Sequence, residues 1–298
     1  MSNYSSHHPQ VGTPDVMPVR RDLRFRLPEE RIGDWHNEGR HVSHFFNALS
    51  LFFPDGERFF IHSVRQYRDR VTDPELKKAV AGFIGQEAMH GREHTECNEM
   101  LDRAGLPGKQ LQTFVYNLLE RIKKLVPRKM HLSATIALEH LTAIMANGLL
   151  QDNRVVGLAE PHFARMWRWH ALEETEHKAV AFDVWKQVMP HSFMSYFWRV
   201  QGLILASVIF WPLVAVFTWR LVHADPQARQ EKHGWRRLFK FLFVTPGILR
   251  RISGEWFDYF KPGFHPWQHD NRGYLTDLDP LVRELEAGDN SGPQVVAA

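Results

Sequence analysis

The sequence predicts an all-α protein whose main body is a four-helix bundle followed by a helical extension. Three observations predict it. Apolar residues recur at three- and four-residue spacing over long stretches, Pro, Gly and Asp punctuate those stretches, and alternating Val/Ile/Thr runs joined by hairpin turns are absent. With 298 residues, 44% hydrophobic and 24% charged, the chain has the balance of a globular protein, long enough for one large domain and an addition to it.

Residues 1–40 are expected to be largely disordered, because the start is polar and rich in Ser, His and Pro and buries too little to offset its ordering entropy. Pro54 suits a first helical turn, so the first bundle helix is predicted from there to Arg70. Thr72-Asp73-Pro74-Glu75 reads as a cap, a first-turn Pro and an early acid, opening a helix that ends near Gly105. A shorter amphipathic helix follows over 108–125. Pro127 precedes another long helix through Gln151, and Glu160-Pro161 opens one that stops at Pro190. The four long helices then pair as two hairpins joined by a crossover that carries the short helix. This gives a bundle over 41–190, an apolar and basic helical extension over 191–285, and a disordered tail over 286–298.

A net charge of +3, with no basic stripe interleaved with aromatics across the body, argues against nucleic acid. The start lacks a charged segment followed by an apolar one, and a single Cys97 forms no internal disulfide, so a reducing cytoplasm is expected. The chemistry is to be sought among 18 His, since imidazole is the commonest metal ligand and proton-transfer group near neutral pH.

Glu87-Ala88-Met89-His90 and Glu174-Thr175-Glu176-His177 are both Glu-x-x-His, a step that sets carboxylate and imidazole on one helix face. A third copy, Glu38-Gly39-Arg40-His41, contains a Gly and precedes the first clear bundle helix, so it is set aside. Hairpin geometry carries more weight than the motif. With a turn near 70–73, Glu57 and Glu87 lie about thirteen residues to either side, near 20 Å up their helices at about 1.5 Å per residue. In the second hairpin Glu139 and Glu174 flank a turn near 152–160. A Glu followed by Glu-x-x-His thus occurs twice, with gaps of 30 and 35 residues. The expected ligands of two metal ions are therefore Glu57, Glu87, His90, Glu139, Glu174 and His177, the set described for di-iron and di-manganese bundles.

His170 lies one turn before Glu174 and shares its face, either as a seventh ligand or as a donor behind the ligands; His94 faces similarly. Gln86 and Glu173 each precede a motif Glu, where a polar side chain can reach an imidazole on the partner helix. His170 and Glu173 are the candidate catalytic residues. Glu176 has solvation as its bland alternative.

Phe52-Phe53-Pro54-Asp55-Gly56-Glu57, Gln86-Glu87-Ala88-Met89-His90, Leu138-Glu139-His140, Glu173-Glu174-Thr175-Glu176-His177 and Pro262-Gly263-Phe264-His265-Pro266-Trp267 resemble the family of predicted metal-dependent hydrolases, over about 40–270. The first four segments are also similar to the ferritin-like di-iron carboxylate superfamily. That resemblance implies a ferritin-like bundle and the same six ligands, position by position. His170, Glu174 and His177 together resemble the third-histidine arrangement of di-iron arylamine N-oxygenases.

Gly202 to Trp219 is apolar apart from Ser207 and Thr218, and is bracketed by Trp198, Arg199 and Arg220. The following Arg229, Lys232, Arg236, Arg237, Lys240, Arg250 and Arg251 belong on the cytoplasmic side, where the metal bundle must also lie. An embedded or re-entrant segment followed by an interfacial basic helix around Trp235–Arg251 is expected, against a buried fifth helix or a homodimer interface. The functional expectation is a di-iron oxidase or oxygenase, cytoplasmic on the inner face of a membrane. It would use O₂, a small apolar substrate and an external electron donor, with two Fe ions or Mn or Zn in their place. The alternative is a two-metal hydrolase with Glu173 or His170 as base. Iron storage or ferroxidase activity is the third class.

Overall fold

Each long bundle helix begins where its sequence carries a cap or a proline. The computed structural model describes residues 16–289, and those residues contain helices and no strand. Helix α1 (Arg40–Ser50) is followed by α2 (Phe53–Arg65), which has Pro54 in its first turn. Asp73 opens α3 (Pro74–Arg103) by accepting from Glu75 N at 2.8 Å and Leu76 N at 3.3 Å. The amphipathic α4 (Gly108–Leu125) carries the crossover to α5 (Arg128–Gln151). Glu160 caps α6 (Pro161–His177) through His162 N at 2.9 Å and Phe163 N at 3.0 Å. The all-α bundle reading holds: α2 packs on α3 and α5 on α6 as two hairpins, and α2 also packs on α5.

Four departures have physical causes. The first bundle helix ends at Arg65 rather than Arg70, because the chain turns to bury Tyr67 and Val71 at the closing end of the bundle. Second, the last bundle helix breaks after His177, and α7 (Val180–Val188) resumes it. Lys178 at the break is buried, a state that requires partners for an ammonium. Its Nζ donates to His269 O at 2.6 Å and Asn271 Oδ1 at 2.7 Å, and lies 4.1 Å from the Trp267 ring centre. Burial pulls its pKa down to about 8. Third, the expected disorder of residues 1–40 fails over 16–39, whereas residues 1–15 lie outside the described residues. Leu23, Phe25, Ile32 and Trp35 are buried, Trp35 stacks on Phe163 at 5.1 Å, and Phe25 N donates to the buried Glu93 at 2.9 Å. Fourth, the expected disordered tail is helical as far as it is described. Helix α12 (Leu278–Asp289) packs on α6 with Leu278 and Leu281 buried, and residues 290–298 lie outside the described residues.

Between α7 and that tail lie α8 (Phe193–Ala224), α9 (Pro226–Gln230), α10 (Gly234–Phe243) and α11 (Ile248–Asp258). Helix α8 is neither re-entrant nor broken at Pro212; it runs unbroken along α5 and α1. Gly202 permits that approach, because a Cβ there would run into Ser133 Oγ and come within 2.7 Å of the Ser133 carbonyl oxygen. Only 22% of its most apolar 18-residue window is buried, which weighs against the buried-helix alternative within this chain. The expected basic helix over 235–251 is two elements instead, α10 and α11, separated where Pro246 and Gly247 interrupt the helical pattern, the latter at φ +71.

Replacing Phe25 by Ala should lower the stability by about 3 kcal/mol, as for other buried Phe truncations, measured by denaturant unfolding. No change would mean that the N-terminal segment does not pack in solution.

Candidate metal centre

The two hairpins bring Glu57 of α2, Glu87 and His90 of α3, Glu139 of α5, and Glu174 and His177 of α6 to one level of the bundle. All six are buried, none more than 3% exposed. The level lies between two apolar clusters. One contains Phe46, Phe163 and Trp167; the other contains Phe59, Phe83, Leu132 and Ile136. Gly91, directly after His90, keeps α3 close to α2, since a Cβ there would come within 2.9 Å of Glu57 Oε2.

Within this level His177 Nε2 lies 3.0 Å from Glu87 Oε1, 3.6 Å from Glu139 Oε2 and 3.6 Å from Glu174 Oε2. His90 Nδ1 lies 3.9 Å from Glu174 Oε1. Closeness here is not hydrogen bonding: both oxygens of Glu57, Glu87 and Glu139, Glu174 Oε2, His90 Nδ1 and His177 Nε2 are buried with no hydrogen-bond partner among the described residues. So many orphaned acceptors would be prohibitive in an apolar interior without a cation to receive their lone pairs. Three groups place one donor atom per residue within 4.8 Å of one another: Glu57, His90 and His170; Glu87, His90 and Glu174; Glu87, Glu139 and His177. That spacing suits donors lying about 2 Å from a shared ion. The residues therefore fit metal ions, with Glu87 and His90 each belonging to two of the three groups.

The partners behind the ligands are arranged reciprocally. Glu173, preceding Glu174, takes His90 Nε2 at 3.0 Å, and Gln86, preceding Glu87, meets His177 Nδ1 through its Oε1 at 3.0 Å. Each hairpin thus orients the imidazole of the other, leaving one nitrogen of each ring for the centre. Glu176 is not solvated, as its bland reading had it. Arg21 donates to Glu173 Oε1 at 3.1 Å and to Glu176 at 2.8 and 3.0 Å, and Gln86 also donates to Glu176. Sequence reasoning missed Arg21, although the alternation of Leu23, Phe25 and Leu27 with charged residues signals an extended half-buried segment.

On the far side His170 Nε2 lies 3.0 Å from Glu174 Oε1, and His170 Nδ1 lies 2.7 Å from His94 Nε2. A hydrogen-bond chain orients these two rings. Asn98 Nδ2 donates to the Ser50 carbonyl at 3.1 Å, which fixes the amide orientation and makes Asn98 Oδ1 the acceptor of the Ser50 hydroxyl at 2.7 Å. Ser50 Oγ then accepts from His94 Nδ1 at 2.8 Å, and His94 Nε2 accepts from His170 Nδ1. This directs the His170 Nδ1 proton to His94 and turns Nε2 toward Glu174. His94 stands behind His170 and belongs to none of the three donor groups. Glu38 is absent from them too, and its neighbour His41 is bound instead to Glu231 at 2.8 Å.

Burial, reinforced by the charges of Glu87, Glu174 and Glu139, pushes the Glu57 carboxyl well above the usual carboxylate range. Burial and Glu87 do the same to Glu139, and burial pushes Glu87 up to about 7 against the pull of His177. Glu174 moves the other way: burial opposes it, but His177 and His170 hold it low. His177 is correspondingly raised by Glu174 and Glu87 in spite of burial. His90 is held neutral by burial and by His170.

Residues 19–270 match the family described as predicted metal-dependent hydrolase. The chain belongs to that family. The match takes in all six buried Glu and His side chains, the Arg21 segment and the Lys178 clamp, so the family's description as metal-dependent agrees with the donor set. No curated protein and no solved structure matches the chain.

Because Glu57, Glu87 and Glu139 hold protons that a cation must displace, metal should stabilise the protein more as pH rises through about 7. The metal-induced rise in Tm should be larger at about pH 8 than at about pH 5.5. A gain independent of pH would contradict the ligand assignment.

Proposed function

We propose that this chain is a di-iron oxidase or oxygenase that uses O₂ on an apolar substrate. The observation that carries the reading is the union of a carboxylate-rich donor cluster with an apolar cavity reaching it. The cavity of ≈ 520 Å³ among α5, α8, α10 and α11 shares Phe45 and Leu249 with a smaller one lined by His170 and Glu174, and a third cavity reaches Glu57. Iron in this set would supply redox chemistry toward O₂, whereas zinc would supply Lewis acidity and hydroxide. Glu57, His90, His170 and Glu174 would hold one ion and Glu139 and His177 the other, with Glu87 grouped with both sets.

The chain's own groups have defined tasks in this reading. Glu173 and Gln86 orient the two imidazoles, and Arg21 offsets the charge that Glu173 brings into the interior. His170, aimed by His94, Ser50 and Asn98, turns its Nε2 toward Glu174 and serves as ligand or proton acceptor. Phe53, packed 4.5 Å from both His94 and His170 ring centres, helps to keep water out. Electrons would come from an external donor, since the sequence carries no flavin or iron–sulfur motif. The exposed apolar face of α8, with exposed Arg236, Lys240 and Arg250 nearby, supports attachment to the inner face of a membrane.

The family description favours a second reading, a two-metal hydrolase. Glu173 is already engaged by Arg21 and His90, which makes His170 the better base for that chemistry. Two measurements separate the readings. Glu87→Ala and Glu174→Ala should each lose at least one metal per chain by elemental analysis, and Glu38→Ala should lose none; the reverse would move the centre elsewhere. The reduced iron form should consume O₂ faster than free ferrous iron, and His170→Ala should change the optical spectrum of the oxidised protein. A zinc form that hydrolyses esters, beside an iron form inert to O₂, would establish the hydrolase instead.

A further inference from the structure

The cavity among α2, α4, α5 and α8 has a composition that selects its occupant. It holds ≈ 240 Å³, and Glu57 is the sole charged residue among those that line it. Thr142 apart, the remaining lining is hydrocarbon, aromatic, glycine or methionine thioether, so a phosphate, sugar or peptide inside would find no partners for its polar groups. At the inner end stands Glu57, with neither carboxylate oxygen hydrogen-bonded. At the outer side stand Leu205 and Ile209 of α8, 45% and 43% exposed.

That outer side continues into an unusual surface. Ile204, Val208 and Val216 extend the exposed apolar face of α8, and Trp235, Phe239 and Phe243 of α10 add exposed rings. Exposed Arg236 and Lys240 lie on the same short helix as those rings, and Arg250 follows at the start of α11. Aromatic and apolar side chains intermixed with cations suit the boundary of a bilayer with anionic headgroups. A second copy of the chain meeting this face would instead place the cations of both copies, Arg236 and Lys240 among them, in one interface, a repulsive arrangement.

We infer that this cavity admits the acyl chain of a membrane phospholipid, entering sideways from the bilayer beside Leu205 and Ile209 and ending at Glu57. The inference deepens the proposed function, on which it rests for the meaning of the Glu57 end. It makes the substrate class a long hydrocarbon chain anchored by a headgroup that stays outside, near the basic residues. The position along the chain that meets the metal centre is then set by the distance from the mouth to Glu57.

The test uses the full-length protein with vesicles of phosphatidylcholine and phosphatidylglycerol, in which the phosphatidylglycerol carries a photoreactive diazirine in mid-chain. Flotation reports membrane binding, and mass spectrometry maps the adducts. The expected result is co-flotation that requires the anionic lipid, with adducts on cavity residues such as Phe60, Met130 and Leu138. Ala134→Trp, which fills the cavity without touching a proposed ligand, should reduce those adducts to background while metal content and flotation persist. Ala206→Phe serves the same purpose should the first variant fold poorly. Adducts confined to the outer face of α8, adducts that survive both substitutions, or a soluble dimer that does not float would each overturn the inference. Cavity labelling with an iron form inert to O₂ would leave the inference standing and sink the oxidase reading, so the two failures are distinguishable.

Discussion

Four carboxylates and two imidazoles buried within a few ångströms of one another dominate the physics of this chain. An uncompensated carboxylate in an apolar interior costs several kcal/mol even after relaxation, and here Glu57, Glu87 and Glu139 have no hydrogen-bond partner for any oxygen. The surrounding structure is built to hold that arrangement. Two apolar clusters close it above and below, Gly91 lets the first hairpin close tightly, and the N-terminal segment lays Arg21 against Glu173 and Glu176. Even the break after His177 is secured from outside, by Lys178 reaching the chain at His269 and Asn271. Two divalent ions would balance four carboxylates, which makes metal binding an element of the fold's stability and not an addition to it.

What the sequence discloses about this centre follows from periodicity. Glu57, Glu87, Glu139 and Glu174 meet because helical rise converts equal distances from a turn into equal heights, and Glu-x-x-His adds each imidazole on the same face. The partners Gln86 and Glu173 were legible for the same reason. Arg21, Ser50 and Asn98 were not, since each reaches the centre across tertiary contacts that no local spacing encodes. The segment over 16–39 was misread because its charged residues dominate its composition, whereas its burial rests on four separated side chains, Leu23, Phe25, Ile32 and Trp35. Helix α8 illustrates the opposite difficulty. Its apolar run is obvious, but only packing reveals that one face lies along α5 and α1 while the rest remains uncovered by the described residues.

Membership of a family of predicted metal-dependent hydrolases and the donor cluster agree on metal dependence. The reaction class turns on what surrounds the metals. Hydrolysis needs water and a polar group to hold an ester or phosphate, and the cavities that reach Glu57, His170 and Glu174 are lined almost wholly by hydrocarbon. That setting is the ground on which oxidation of an apolar chain is proposed, with His170, aimed through His94, Ser50 and Asn98, at an edge of the centre where cavity space begins.

The central claim is that two metal ions sit side by side among these six residues. A crystal of the protein loaded anaerobically with ferrous iron, measured at the iron absorption edge, tests it most directly. The account predicts two anomalous peaks about 3.5–4 Å apart, one beside Glu57, His90 and Glu174, the other beside Glu139 and His177, with Glu87 between them. A single peak, or peaks elsewhere in the chain, would contradict it.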